Sequence, residues 1–428
     1  MHSLSKDKIN VLLLEGVHQS AVENFHAQGY KNVELLPTAL QGEALLEKLK
    51  NTHILGIRSR TQVSQEALSQ TSKLMAIGCF CIGTNQVDLN AAASHGIPVF
   101  NAPFSNTRSV AELVIGEAIM LMRGIPQKNM ALHLDGTWLK TAERSYELRG
   151  KTLGIVGYGH IGMQVAQLAE NFGMNVIYYD IESKLSMGNA RPCATLDELL
   201  TRSNIVTLHV PETPETQNMI TQKEISQMLP GACLINASRG TVVNIDDLAS
   251  ALEAKHLSGA AIDVFPQEPK GKDEKLTSAL RGITQTLLTP HIGGSTKEAQ
   301  ANIAVEVSEK LIKYSDNGST TGAVNFPEVN LPPHPNSQRI LHIHQNKPGM
   351  LNALNTVFGQ LGANISGQYL QTKNGVGYVV TDIESQQKGL NNSHFKNIEG
   401  TIKTRVLYAW KNHSTSPFQL GQHKSAKW

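Results

Sequence analysis

The sequence predicts an α/β protein: two doubly wound parallel-sheet domains followed by a small ferredoxin-like α+β unit. Three observations predict it. Short apolar runs alternate with helical patterns from about residue 9 to 103, and again from about 150 to 294; strands joined by crossover helices give that alternation. A glycine triplet, Gly157, Gly159 and Gly162, separates one apolar run from a helical stretch. Four prolines between 326 and 337 mark an extended linker, and a strand–helix–strand–strand–helix–strand pattern follows it.

In the first unit, apolar runs place strands at 11–14, 53–57, 74–77 and 97–100, with helices over 44–49 and 89–93. Ser109-Val110-Ala111-Glu112 has the spacing of a capping box and predicts a helix over 110–123. Gly124 and Pro126 are expected to end it. That helix is apolar nearly all round, so it is either deeply buried or part of a subunit interface. In the second unit, strands are expected at 153–156, 176–179, 205–208, 233–236, 259–262 and 286–289. A helix from 295 to about 314 would return the chain to the first unit. The first domain is then discontinuous, 1–103 with 295–330, and flavodoxin-like. The Rossmann domain is 104–294. The third unit spans 338–410, with strands at 340–344, 365–372, 377–383 and 405–409 and helices at 349–361 and near 394–398. Residues 411–428 are polar and aperiodic, and are expected to form a mobile tail.

Composition narrows the function classes. The 428 residues carry 38 basic and 36 acidic side chains, a net charge of +2. That balance gives no reason to expect nucleic acid or an anionic membrane as partner. No apolar run approaches the ~20 residues needed to cross a bilayer, and Met1 to Lys8 is polar and mixed in charge. A cytoplasmic protein is expected. Its four cysteines suit a reducing compartment. Cys79 and Cys81 read as buried small hydrophobes rather than a metal pair, and no metal is expected.

The glycine triplet lies in the context a dinucleotide requires: strand, glycine turn, helix, strand, acid. Gly157 permits the tight turn, Gly159 lets backbone approach a pyrophosphate, and Gly162 lets the helix pack on the sheet. The helix N-terminus supplies N–H groups and partial positive charge. Asp180, ending the next strand, would accept from the adenosine ribose hydroxyls and repel a 2′-phosphate. The expected cofactor is therefore NAD.

Three more segments lie just past successive strands: Asn236-Ala237-Ser238-Arg239-Gly240, Asp263-Val264-Phe265-Pro266-Gln267-Glu268-Pro269, and Thr289-Pro290-His291-Ile292-Gly293-Gly294. Ligands bind at that end of open parallel sheets. Arg239, Glu268 and His291 are thus candidates to converge on one crevice. Oxidising a secondary alcohol needs a hydride acceptor and a base for the hydroxyl proton, and histidine exchanges protons near neutral pH. A carboxylate beside it favours imidazolium. A guanidinium matches a substrate carboxylate.

These residues also carry a resemblance. Arg58-Ser59-Arg60-Thr61, Ile77 to Asn85, Asn101 to Arg108, Gly157 to Gly162 and the three segments above are similar to the D-isomer-specific 2-hydroxyacid dehydrogenase family. The resemblance runs from about residue 8 to 410. It implies that Arg239 holds the substrate carboxylate, His291 transfers the proton and Glu268 hydrogen-bonds its imidazole. It places His160 and Ile161 against the cofactor, Asp263 at the nicotinamide carboxamide, and Ala237, Ser238, Gly293 and Gly294 beside the nicotinamide, with Arg239, His291 and Ile292 also in the cofactor site. A phosphorylated substrate needs further positive charge. The resemblance turns the Arg58-Ser59-Arg60 loop toward that phosphate, with Asn106, Arg108 and Lys140 as further candidates, the last reaching in from a neighbouring subunit.

The C-terminal unit resembles an ACT domain, an amino-acid-binding regulatory module that works at a subunit interface. The carrying segment is His342 to Gly349, followed by Gly362-Ala363-Asn364-Ile365. It implies L-serine as effector at His344, Asn346 and Asn364. The whole resemblance implies oxidation of 3-phospho-D-glycerate with NAD, feedback inhibition by serine, a cleft that closes over both ligands, and a homotetramer. Alternatives at this point are a dehydrogenase for another 2-hydroxy acid such as 2-hydroxyglutarate, and a non-catalytic NAD-sensing protein.

Overall fold

The computed structural model describes residues 4–269, 274–334, 337–384 and 392–407. The expected tail and the end of the last expected strand lie outside the described residues. Two compact units form, one from the chain up to Ala102 together with the chain from Ala304 on, the other from Pro103–Ile303.

The first unit begins with β1 Asn10–Leu13, α1 Gln19–Ala27, β2 Asn32–Leu35, α2 Gly42–Leu49, β3 Ile54–Ile57, α3 Gln65–Ser69, β4 Ala76–Cys79, α4 Leu89–Ser94 and β5 Val99–Asn101. Its parallel sheet has the order β2-β1-β3-β4-β5, the flavodoxin-like winding. Strands β3, β4 and β5 are buried throughout, and β3 and β4 read as unbroken apolar runs while β5 ends in the buried Asn101. β2 alternates exposed and half-buried positions at the sheet edge, and for that reason it has no apolar run to announce it.

The second unit opens with α5 Thr107–Met122. The capping box expected at Ser109 does not form. The helix starts three residues earlier, behind Asn106, and Glu112 pairs with Arg108 instead of reaching back to the cap. Ser109 bonds the Thr296 hydroxyl at 2.8 Å. Nor does Pro126 close the helical region. Gly124 takes a left-handed turn (φ 57°), and Pro126 then sits in the first turn of a second helix, α6 Ile125–Asp135. Proline is tolerated there because a first-turn N–H has no intrahelical acceptor. The buried face of α5 includes Val110, Ala111, Val114, Ile115, Ala118, Leu121 and, unexpectedly, Glu117 at 1% exposure.

The rest of this unit is β6 Thr152–Val156, α7 His160–Asn171, β7 Asn175–Tyr179, β8 Arg191–Pro192, α8 Leu196–Arg202, β9 Ile205–Leu208, α9 Gln222–Gln227, β10 Cys233–Asn236, α10 Ile245–Glu253, β11 Gly259–Ile262 and β12 Thr286–Leu288. The sheet order is β12-β11-β10-β9-β6-β7-β8, all parallel. The winding reverses between β6 and β9, which makes a switch-point crevice at the carboxyl ends of those strands. Two apolar clusters cover its faces. One joins α5 and α7 to Leu153, Ile155, Val176 and Ile235; the other holds Val156, Leu208, Leu234 and Ile262.

The chain returns through α11 Lys297–Asn317. Then come β13 Ser337–Gln345, α12 Met350–Gln360, β14 Ile365–Lys373, β15 Val376–Glu384, α13 Ser393–Lys396 and β16 Thr401–Leu407. The antiparallel order β14-β15-β13-β16 is ferredoxin-like. This sheet is bound to its own unit by buried polar contacts. Arg339, 0% exposed, grips Asp382 through Nε and Nη2 at 2.6 and 2.7 Å, and its Nη1 donates to the carbonyls of Asn317 and Pro332. Tyr378 donates to the Gly318 carbonyl at 2.7 Å, and Arg405 to that of Ser315.

Candidate active site

The nucleotide turn follows from close packing. Gly157 adopts φ 92°, and a Cβ there would meet the His209 carbonyl oxygen at 2.5 Å. A Cβ on Gly162 would meet the Gly157 oxygen at 2.3 Å. Gly159, by contrast, has nothing within 4 Å of its Cβ direction. The turn therefore leaves room for a ligand backbone just ahead of the α7 N-terminus. Asp180, past β7, accepts from the Tyr158 N–H at 2.8 Å and the Glu182 N–H at 2.9 Å. Its half-buried carboxylate is thus held at the crevice, where a ribose would lie. The ring of Phe104 lies 3.9 Å, centre to centre, from that of His160. These residues fit a dinucleotide.

The chemical groups stand at the ends of three adjacent strands. Asn236 closes β10 and is fully buried. Its Oδ1 accepts from the Ser238 N–H and hydroxyl, and its Nδ2 donates to the Arg239 carbonyl. That shapes Ala237 to Gly240. A Cβ on Gly240 would lie 2.0 Å from the Phe265 carbonyl carbon, so the loops after β10 and β11 are pressed together. Arg239 is half-buried, and its Nη1 donates to the Ser238 carbonyl at 2.7 Å.

Asp263, past β11, is 2% exposed. Its Oδ1 accepts from the Thr289 hydroxyl at 2.6 Å and the Ile292 N–H at 2.8 Å, and its Oδ2 from the Gly293 N–H at 2.8 Å. Its carbonyl accepts from the His291 N–H. Asp263 thereby anchors the turn after β12. His291 at its apex takes a left-handed φ of 53°, a conformation that a bulky residue adopts only when its surroundings enforce it.

Nδ1 of His291 lies 3.0 Å from both Glu268 carboxylate oxygens. A carboxylate can only accept, so Nδ1 carries the proton and Nε2 is the exchangeable site. The hydrogen bond to Glu268 raises the His291 pKa above the ordinary imidazole value, against the opposing effect of burial. Burial pushes Glu268 up, but the bond to His291 and its charge prevail and hold the carboxyl below its ordinary value. The Arg239 charge lowers both pKa values, and the packing of Gly240 on Phe265 presses its loop against the one that carries Glu268.

The structure thus brings together Arg239, Glu268 and His291, with Ala237, Ser238, Asp263, Ile292, Gly293 and Gly294 around them. Asn106 belongs with this group: its Nδ2 is 2.2 Å from where a Gly294 Cβ would be. Arg108 pairs with Glu112 on the α5 surface, and Lys140 is exposed beyond α6. Arg58, Ser59 and Arg60 follow β3 in the other unit. The effector candidates do not meet within one chain. His344 is paired with Gly377 at one end of the sheet, while the Asn364 carbonyl accepts from Glu384, paired with Ser337 at the other end. Seven residues of strand separate them, roughly 23 Å. Asn236, Thr289 and Phe104 lie in the stretches the sequence singles out, but no role was read for them there. A polar side chain at a strand's carboxyl terminus, as at Asn236, was the available signal.

Comparison with known proteins identifies the family. Residues 115–293 match the family described as D-isomer specific 2-hydroxyacid dehydrogenase, NAD binding domain, and 340–399 match the AHAS small subunit-like ACT domain. The chain is 58% identical over 408 residues to D-3-phosphoglycerate dehydrogenase of Escherichia coli K12, covering 95% of this chain and 99% of that protein. It is 56% identical over 406 residues to the protein of the same name from Haemophilus influenzae, with the same coverage. Among solved structures, D-lactate dehydrogenase from Aquifex aeolicus, complexed with NAD and lactic acid, aligns with a TM-score of 0.61 at 27% identity, over 71% of this chain and 95% of that one. The chain belongs to the D-isomer specific 2-hydroxyacid dehydrogenase family and is an NAD-dependent oxidoreductase with a C-terminal ACT domain.

Proposed function

We propose that this chain oxidises 3-phospho-D-glycerate to 3-phosphohydroxypyruvate, the first step of phosphorylated L-serine synthesis. The observation that carries the chemistry is the His291–Glu268 pair, with Arg239 close by. The phosphorylated substrate is supported by the 58% identity to a protein named for it. Arg239 holds the substrate carboxylate and polarises the C2 oxygen. Nε2 of His291 takes the hydroxyl proton, and Glu268 stabilises the imidazolium that results. When bound, NAD supplies the hydride acceptor. In the reverse direction His291 returns the proton. Arg60 and Arg58 take the phosphate, assisted by Ser59, Asn106, Arg108 and Lys140.

We assign residues 1–103 and 295–330 to substrate binding, 104–294 to NAD and 338–410 to regulation. L-serine is the effector, at a site where His344 and Asn346 of one copy meet Asn364 of another. Two self-contacts, through α5 and through the ACT sheet, make a homotetramer. Four cysteines, all thiols, suit the reducing cytoplasm.

The test is NADH formation from 3-phosphoglycerate with the keto product trapped, with and without serine. Turnover confined to unphosphorylated 2-hydroxy acids overturns the substrate assignment. Indifference to millimolar serine overturns the effector.

A further inference from the structure

The stretch after β3 carries two arginines, but a third charged group under it has no place in the mechanism so far. Glu15 follows β1, and its side chain is 1% exposed. Its Oε1 accepts from the main-chain N–H groups of Arg58 (3.2 Å) and Thr61 (2.8 Å), and its Oε2 from that of Arg60 (2.9 Å). Nε of Arg60 lies 3.6 Å from Oε2, with the Arg60 side chain 59% exposed. One carboxylate therefore collects three of the four N–H groups of residues 58–61. Gln86, 3% exposed, closes the loop from the other side by donating to the Arg58 carbonyl at 2.6 Å.

The backbone of Glu15 is itself distorted to do this. It adopts φ 63°, and Gly16 after it φ 62°. A left-handed glutamate is uncommon and persists only where surrounding contacts enforce it. Here the Glu15 N–H donates to the Thr38 carbonyl and that of Gly16 to the Leu36 carbonyl. Burial pushes the carboxyl up, but the three N–H donors prevail and hold its pKa below the ordinary glutamate value. It is a permanent anion at neutral pH.

A buried anion under a loop that presents cations needs a reason, because it weakens the field toward any anionic ligand. Geometry supplies one. Two long, rotamer-rich side chains on a short irregular loop would otherwise present charge over a wide arc. A guanidinium recognises phosphate through a fixed fork of donors, so its placement matters more than its bare charge.

We propose that Glu15 is a positioning residue for the substrate's phosphate: it clamps the 58–61 backbone and the Arg60 guanidinium so that the loop discriminates phosphorylated from unphosphorylated 2-hydroxy acids. The inference rests on the reading above that Arg60 takes the phosphate. It goes beyond that reading by naming the group that sets the selectivity.

The experiment compares Glu15→Gln, Glu15→Asp, Arg60→Ala and Glu15→Gln/Arg60→Ala, each assayed with 3-phosphoglycerate and with D-glycerate. Glu15→Gln and Glu15→Asp should raise KM for 3-phosphoglycerate about tenfold, with kcat within threefold and D-glycerate kinetics unchanged. Inorganic phosphate should weaken as a competitor in parallel. The double variant should lose less than the sum of the two single losses, since part of what Glu15 does is done through the Arg60 guanidinium. Equal effects of the Glu15 variants on both substrates, or additive losses in the double variant, overturn the proposal. A substrate-blind Arg60→Ala overturns instead the phosphate reading beneath it. In the unmodified protein, the amides of Arg60 and Thr61 should be protected from hydrogen exchange. Exchange at unfolded-chain rates there also overturns it, whatever the variants do to folding.

Discussion

Glu268 offers both carboxylate oxygens to Nδ1 of His291, each at 3.0 Å. This symmetrical contact fixes the tautomer and favours the charged ring. Oxidation needs the uncharged ring as base. The acid limb of kcat/KM should therefore fall above the ordinary imidazole value of ~6.5. Glu268→Gln removes the carboxylate charge, so the limb should move to lower pH and kcat should drop roughly 100-fold. A pH–rate profile of both forms checks this.

In the proposed reading, Asp180 sets the cofactor choice. Its carboxylate is fixed by the Tyr158 and Glu182 amides at the end of β7. Asp180→Asn keeps an acceptor but loses the charge that opposes a 2′-phosphate. The preference for NAD over NADP, measured as a ratio of kcat/KM values, should fall about tenfold.

Glu117 should make the second unit lose stability as pH rises from the acid range toward about 8. Burial first, and then the charge of Asp263, push its carboxyl from 4.5 up to about 8. Its folded pKa lies above its unfolded one, so the folded state holds a proton that the unfolded state releases above pH 4.5. Stability contributed by this group therefore declines from pH 4.5 toward about 8. Glu117→Gln abolishes that slope. At pH 8 and above it should stabilise the protein by about 2 kcal/mol, read from urea midpoints across the pH range.

Arg339 and Asp382 are 0% and 11% exposed and form a two-pronged pair. Arg339→Met strands a buried carboxylate and should destabilise the C-terminal sheet by about 3–5 kcal/mol. Arg339→Met/Asp382→Leu should recover most of the loss. Urea melts followed by exchange of β13 and β15 amides measure both.

Elements with one period or one unbroken apolar run could be read from the chain: the buried strands β3, β4, β9 and β10, the glycine turn, and the three chemical segments past β10, β11 and β12. Elements without such a pattern could not. β2 is a half-exposed edge, and β8 is two exposed residues, one of them proline. The start of α5 was misplaced because Ser109 and Glu112 have cap spacing, but Arg108 competes for Glu112 and Thr296 for Ser109. At the site, identities were legible while support was not. Asp263 under the His291 turn, Asn236 under Arg239 and Glu15 under Arg60 act through contacts between residues 3 to 45 positions apart. The Asn236 contact is local, but the other two span 29 and 45 residues, and no local pattern encodes them. Strand register puts His344 and Asn364 at opposite ends of one sheet, a separation that pairing across strands sets and local sequence does not encode.

The central claim is that His291 moves the hydroxyl proton, and His291→Asn tests it most directly. NADH formation from 3-phosphoglycerate should fall about 1000-fold or more and lose its acid limb, while the Kd for NAD stays within about threefold. Activity within about tenfold of the unmodified protein, with the acid limb in place, would contradict the account.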